Sequence, residues 1–235
     1  HQVHRARRRP ASGMKLGLYG GAFNPIHRCH LAVAETARGR LGLETVLFIP
    51  TGDPPHKPPS DVMPAAHRLA MVRLAVAPCP YFQVSDSETT RLAKSYTIDT
   101  VRELRKIYPA DSRFVFIIGL DAFKELPSWR EPDRLLELCE FAVVSRPGYT
   151  FKSLENLPIL GIKEAASLER LDAGQVEVQE VRLKSGQSLW GLPIPPCNVS
   201  AQDIRKRLKH RQTLENLLPA GVESYILSHN LFSGG

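Results

Sequence analysis

No run in this 235-residue chain approaches the roughly 18 to 20 apolar residues of a membrane-crossing helix. The N-terminus also lacks the apolar stretch of a secretory signal. Cysteine is scarce. The four that occur, Cys29, Cys79, Cys139 and Cys197, are scattered and form no Cys-x-x-Cys pair. That argues against a disulfide framework or a zinc site and for a reducing, cytoplasmic setting. Acidic residues are absent from 1–13, which hold Arg5, Arg7, Arg8 and Arg9. Setting those four aside leaves 27 Lys and Arg against 24 Asp and Glu, so most of the net charge of +7 belongs to the tail. Residues 1–13 are expected to be a disordered basic tail and 14–235 one mildly basic domain. No basic platform interleaved with aromatics follows, so nucleic acid is not an expected partner, and neither is a membrane. Internal repeats are absent, and homo-oligomerisation is left open.

What is present is an ordinary core composition, 43% apolar, with strands and helices alternating along the chain. Short apolar runs at 15–19, 45–50, 82–85, 114–119, 141–145 and 176–181 read as strands. Segments 29–41, 64–77, 97–108, 133–138, 201–210 and 219–228 read as helices. Thr97 and Ser200 are expected N-caps, and Pro64 and Pro219 suit first turns. Segment 151–175 carries the least pattern. The alternation predicts an α/β fold: a Rossmann-like, doubly wound parallel sheet with helices on both faces. Such sheets bind ligands beyond the carboxyl ends of their strands. Chemistry-bearing residues recur at those ends: His27 and His30 after the first strand, His56 and Lys57 after the second. Gly119 and Asp121 follow the strand at 114–119, and Arg146 follows the one at 141–145.

The densest of these stretches is Gly20-Gly21-Ala22-Phe23-Asn24-Pro25-Ile26-His27-Arg28-Cys29-His30. Two glycines, an Asn-Pro turn and two histidines three apart sit where a strand passes into a helix, a place whose free N–H groups and dipole favour phosphate. Here the chain resembles the HxGH nucleotidyltransferases, whose pattern is Gly-Gly-x-Phe-Asp-Pro-x-His-x-Gly-His. Asn24 stands for the usual Asp and keeps an oxygen acceptor. Cys29 stands for the glycine between the histidines and is expected to add bulk beside the nucleotide.

Further motifs narrow the resemblance to the bacterial nicotinate mononucleotide adenylyltransferases. They are Pro54-Pro55-His56-Lys57, Ser95-Tyr96-Thr97, Ile117-Ile118-Gly119-Leu120-Asp121, Pro127-Ser128-Trp129, Ser145-Arg146-Pro147-Gly148-Tyr149 and Val199-Ser200-Ala201-Gln202-Asp203-Ile204-Arg205. They run in order over nearly the whole domain, with a loose match across 151–191. The resemblance implies adenylyl transfer from ATP to nicotinate mononucleotide, with Mg²⁺ carried by ATP and no protein metal ligands. It implies catalytic roles for His27, His30, Lys57 and Arg205. ATP would be bound by Gly20, Gly21, Ala22, Phe23, His30, Gly119, Asp121, Arg146, Val199, Ser200 and Arg205. The mononucleotide would meet Asn24, His56, Lys57, Ser95, Tyr96, Thr97 and Trp129, the last stacking on the pyridine. An N-cap role for Asp121 competes with ribose binding. No covalent nucleophile set is evident. Cys29 and Gln202 keep alive an alternative, a non-catalytic nucleotide-binding regulator of the same fold.

Overall fold

The computed structural model describes residues 13–52, 62–91, 94–163 and 165–233. The tail at 1–12, with its four arginines, and the pair His56 and Lys57 lie outside the described residues.

Seven strands form one sheet in the order β3-β2-β1-β4-β5-β7-β6. They are β1 (Lys15–Gly21), β2 (Thr45–Pro50), β3 (Phe82–Val84), β4 (Arg113–Gly119), β5 (Glu140–Val144), β6 (Gln179–Arg182) and β7 (Ser188–Leu192). All neighbouring pairs are parallel except β6 with β7. The central strands are continuous apolar runs because parallel strands are covered on both faces. Along β4, Phe114, Phe116 and Ile118 point into one core while Val115 and Ile117 point into the other. The first core is closed by α3 (Thr97–Ile107) and α5 (Pro132–Leu138). The second is closed by α1 (Arg28–Leu41), α2 (Ala65–Val76), α7 (Ala201–Lys209) and α8 (Ala220–Ser228). Strand order runs one way from β1 through β2 to β3 and the other way through β4 to β5, so the crevice opens at the ends of β1 and β4.

Two elements differ from the sequence reading. The expected strand at 176–181 is β6, displaced to Gln179–Arg182, and it pairs antiparallel with β7, which the periodicity missed. β7 is short and contains Gly191. A Cβ there would collide with the side chain of Leu171 on α6 (Ala165–Asp172), so the glycine admits that helix instead of breaking the strand. Segment 151–175 also contains a 3-10 turn, Phe151–Asn156. The Asp172 carboxylate ties it down by accepting the Phe151 and Lys152 N–H groups at 2.8 and 2.9 Å.

Helix starts give smaller corrections. Ser200 caps α7 as expected, its Oγ accepting from the Asp203 N–H at 3.1 Å. Tyr96, not Thr97, is the N-cap of α3, and Pro64 and Pro219 occupy N-cap positions just outside their helices. Asp121 lies inside the single turn of α4 (Leu120–Phe123), whose N-cap is Gly119, so the N-cap reading of Asp121 is set aside.

Candidate active site

β1 delivers the chain into a loop that ends at the start of α1. Phe23 in that loop has φ +47, a left-handed conformation rare for a bulky side chain. Its ring meets the edges of Tyr19 and His30, with centroids 5.7 and 5.1 Å apart. His27 is the N-cap of α1 and its backbone N–H donates to His30 Nδ1 at 3.2 Å. That bond places the neutral ring's proton on Nε2 of His30, leaving Nε2–H as its donor. The two imidazole centroids are 3.8 Å apart, so the histidines do converge on one place.

Burial is the main electrostatic influence here. It lowers the His27 pKa to about 4, with Arg146 adding to the effect. His30 falls well below the usual value, first through burial, then through His27 and Arg146. Both rings are therefore neutral donors at neutral pH. Burial also pushes the Tyr19 phenol up to about 12. Two side-chain atoms of the site, His27 Nδ1 and Ser95 Oγ, are buried without a hydrogen-bond partner among the described residues, as is Arg38 Nε elsewhere.

Other strand ends supply the remaining walls. After β4, a Cβ on Gly119 would lie 2.5 Å from Asp121 Oδ1 and 2.6 Å from Arg146 Nε, so a larger residue would have to push that pair of side chains aside. Arg146, beyond β5, donates from Nε to Asp121 Oδ1 at 3.3 Å. Trp129 follows a 3-10 turn, Leu126–Ser128, and packs edge-on against Phe116. At the start of α3, Lys94 and Arg130 both lie over the Tyr96 ring, at 5.3 and 4.7 Å from its centroid. Arg130 also pairs with Asp99 in the first turn of α3 at 3.7 Å, so of the two cations Lys94 is the one that adds to the positive end of that helix.

An open cleft of about 400 Å³ joins these pieces. Of the sequence-predicted residues, Gly20, Gly21, Phe23, His30, Ser95, Thr97, Gly119, Asp121, Trp129 and Arg146 line it. Ala22, Asn24, His27, Tyr96, Val199, Ser200 and Arg205 stand outside that lining. Arg205 reaches the loop between β1 and α1 nonetheless, its Nη1 donating to the Asn24 carbonyl at 2.7 Å. Sequence reasoning missed Thr51 and Glu88, which also line the cleft. Glu88 is buried, accepts the Thr100 hydroxyl at 2.7 Å, and has its pKa raised by that burial. Nothing in its local sequence separates it from an exposed loop acid. A second depression, of about 360 Å³, lies at the amino ends of β4 and β5. Its Arg113 and Glu140 pair with each other at 2.7 Å.

The expectation of four unpaired cysteines is corrected. Cys29 on α1 and Cys197, just before α7, form a disulfide with Cα atoms 6.0 Å apart, within the usual span of such bridges. The Cys29 side chain thus turns toward the α7 side, and it does not line the cleft. Only Cys79 and Cys139 are free. Among the described residues no group of three or more His, Cys, Asp and Glu side chains gathers as a metal site.

A profile of the cytidylyltransferase-like family matches residues 18–207. A probable nicotinate-nucleotide adenylyltransferase of Citrifermentans bemidjiense is 41% identical over 220 residues, covering 93% of this chain and 98% of that one. The chain belongs to this family. A second family member of the same description, from Geotalea daltonii, is 39% identical over 224 residues, covering 94% of this chain and all of its own length. The fold also matches the solved Plasmodium falciparum nicotinic acid mononucleotide adenylyltransferase complexed with NaAD. That match has a TM-score of 0.67 at 17% identity, covering 93% of this chain and 97% of the other.

Proposed function

We propose that this chain transfers the adenylyl group of ATP to nicotinate mononucleotide, giving nicotinate adenine dinucleotide and pyrophosphate in NAD biosynthesis. The observation that carries the reading is the convergence on one cleft of the loop after β1, His30 and the start of α3 beside Trp129, with the His27 ring 3.8 Å from that of His30. In the reaction, an oxygen of the mononucleotide phosphate attacks the α-phosphorus in line. The bond to the bridging oxygen breaks and pyrophosphate leaves with the electron pair. The attacking phosphate is already ionised at neutral pH, so the work is positioning and charge stabilisation rather than proton removal. Histidines held neutral by burial suit that task as N–H donors to the phosphates.

In this reading His30 donates from Nε2 to phosphate oxygens as charge grows on the bridging oxygen, and His27 assists. Arg205 braces the loop through Asn24 and adds positive charge for the triphosphate. Lys57 and His56 hold the acceptor phosphate. Gly119, Asp121 and Arg146 approach the adenosine side. Ser95 Oγ and the backbone N–H groups at the start of α3 receive the pyridine carboxylate, with Trp129 stacked on the ring. The nitrogen donors of the phosphate loop suit phosphate oxygens rather than a cation, and no residue of this chain is assigned to Mg²⁺, which would be carried by ATP and would neutralise part of its charge. The proposed compartment is the cytoplasm, on the strength of the NAD-biosynthesis reading and no longer of the cysteines, two of which are paired. No helix among the described residues is long and apolar enough to cross a membrane.

The test is pyrophosphate release from ATP with nicotinate mononucleotide and, separately, phosphopantetheine as acceptor. Turnover on the mononucleotide alone is the expected result. Turnover on phosphopantetheine instead would overturn the substrate. ATP binding without turnover on either would point to a non-catalytic regulator.

A further inference from the structure

Helix α2 carries an arginine on its buried face. Arg68 sits in the apolar stripe with Ala65, Met71 and Val72 and is 0% exposed. Among the described residues, its guanidinium donates into three separate segments. Nε reaches the Met63 carbonyl at 2.7 Å, just before α2. Nη1 reaches the Ala22 carbonyl of the phosphate loop at 2.8 Å and Thr51 Oγ1 at 3.5 Å. Nη2 reaches the Gly52 carbonyl at 3.2 Å. The network extends further, since the Met63 N–H donates to Asn24 Oδ1 at 3.0 Å and the Asn24 carbonyl accepts from Arg205 at 2.7 Å. One guanidinium therefore ties the end of β1 to the end of β2, where Thr51 lines the cleft.

We propose that Arg68 is a positioning residue for adenylyl transfer. It sets the spacing between the loop that holds the donor phosphates and the cleft wall at the end of β2, and so the relative placement of the two reactants. Burying a cation carries a large desolvation penalty, and well-packed apolar residues in place of buried charges are often neutral or stabilising. An arginine at this position is therefore better explained by geometry than by stability. Its planar fork of five N–H donors reaches at least four acceptors in three segments among the described residues, which a lysine ammonium with three donors at one point cannot do. In-line transfer is sensitive to such spacing, because a misplacement of about 1 Å can cost on the order of a hundredfold in rate. The proposal rests on the adenylyl-transfer reading.

The experiment compares wild type with Arg68→Met and Arg68→Lys by pyrophosphate release, measuring kcat and both KM values beside thermal unfolding. For Arg68→Met we expect kcat to fall by about thirtyfold to a hundredfold, with the KM for ATP and for the mononucleotide each within about threefold of wild type. Arg68→Lys should recover part of the loss while staying at least about fivefold below wild type. A folded Arg68→Met enzyme less than fivefold impaired in kcat overturns the proposal. So does a loss confined to KM, or one that only tracks the folded fraction. If Arg68→Met does not fold, Arg68→Lys decides by the same fivefold threshold. Wild type inert with nicotinate mononucleotide but active with another acceptor overturns the substrate assignment, and the kcat comparison then runs on that acceptor. Wild type inert on every acceptor overturns both.

Discussion

Replacing His30 with alanine removes two interactions of different consequence, and their magnitudes separate cleanly. The first is the Nε2–H donor offered to the phosphates. Loss of one preorganised donor to developing charge costs about 2.7–4 kcal/mol of barrier, or about a hundredfold to a thousandfold in kcat. The second is structural, because His30 Nδ1 accepts the His27 backbone N–H at the start of α1. Losing a cap of this kind costs about 1 kcal/mol, or roughly 2–4 °C in a domain of this size. His30→Ala should therefore melt only a few degrees below wild type while its turnover collapses. His30→Gln keeps an N–H donor and should recover part of kcat. Pyrophosphate release under saturating ATP, read beside a thermal melt, makes both measurements on one preparation. A folded His30→Ala enzyme turning over within tenfold of wild type would refute the role of His30 and the neutral-donor argument with it.

Three further outcomes are expected. Nicotinate mononucleotide should be preferred over its amide by about tenfold to several hundredfold in kcat/KM, because an amide misplaces an N–H₂ against donors at ~1–3 kcal/mol. Trp129→Ala should weaken both pyridines alike, and equal kcat/KM for acid and amide on wild type would sink the carboxylate pocket around α3. The pKa of His27 is lowered to about 4 in the fold and is near 6.5 when unfolded, so the unfolded chain holds more protons between those values. Stability should accordingly fall as pH drops through that window, by up to ~1.4 kcal/mol per unit from this group, and urea unfolding of His27→Asn should show a shallower slope. An unchanged slope refutes the buried neutral assignment. Finally, alkylation after denaturation without reductant should count two thiols and, after a dithiol, four; opening the Cys29–Cys197 pair should lower stability by about 2–4 kcal/mol. Four reactive thiols before reduction would refute the pairing.

Much of the architecture was legible locally. β2 begins and ends where its apolar run does, and α1 differs from its expected span by one residue at the start. The reason is physical. A parallel strand covered on both faces must be apolar throughout, and a helix on the sheet shows its stripe at helical spacing. The strand-end positions of His30, Gly119 and Arg146 followed from the same logic, since the order of such a sheet directs its carboxyl ends to one crevice.

Other features depended on what arrives from far along the chain. Arg68 reads as a stray charge in an apolar stripe until Ala22 and Gly52 come within reach of its fork. Glu88 acquires its raised pKa chiefly from burial, against the opposing hydrogen bond from Thr100. Cys29 and Cys197 are 168 residues apart, and no spacing rule joins them. β7 is hidden by Gly191, whose missing side chain makes sense only once Leu171 fills the space. Periodicity reports which face a residue turns inward. It does not report which partner that face will meet, and at these positions the partner decides the chemistry.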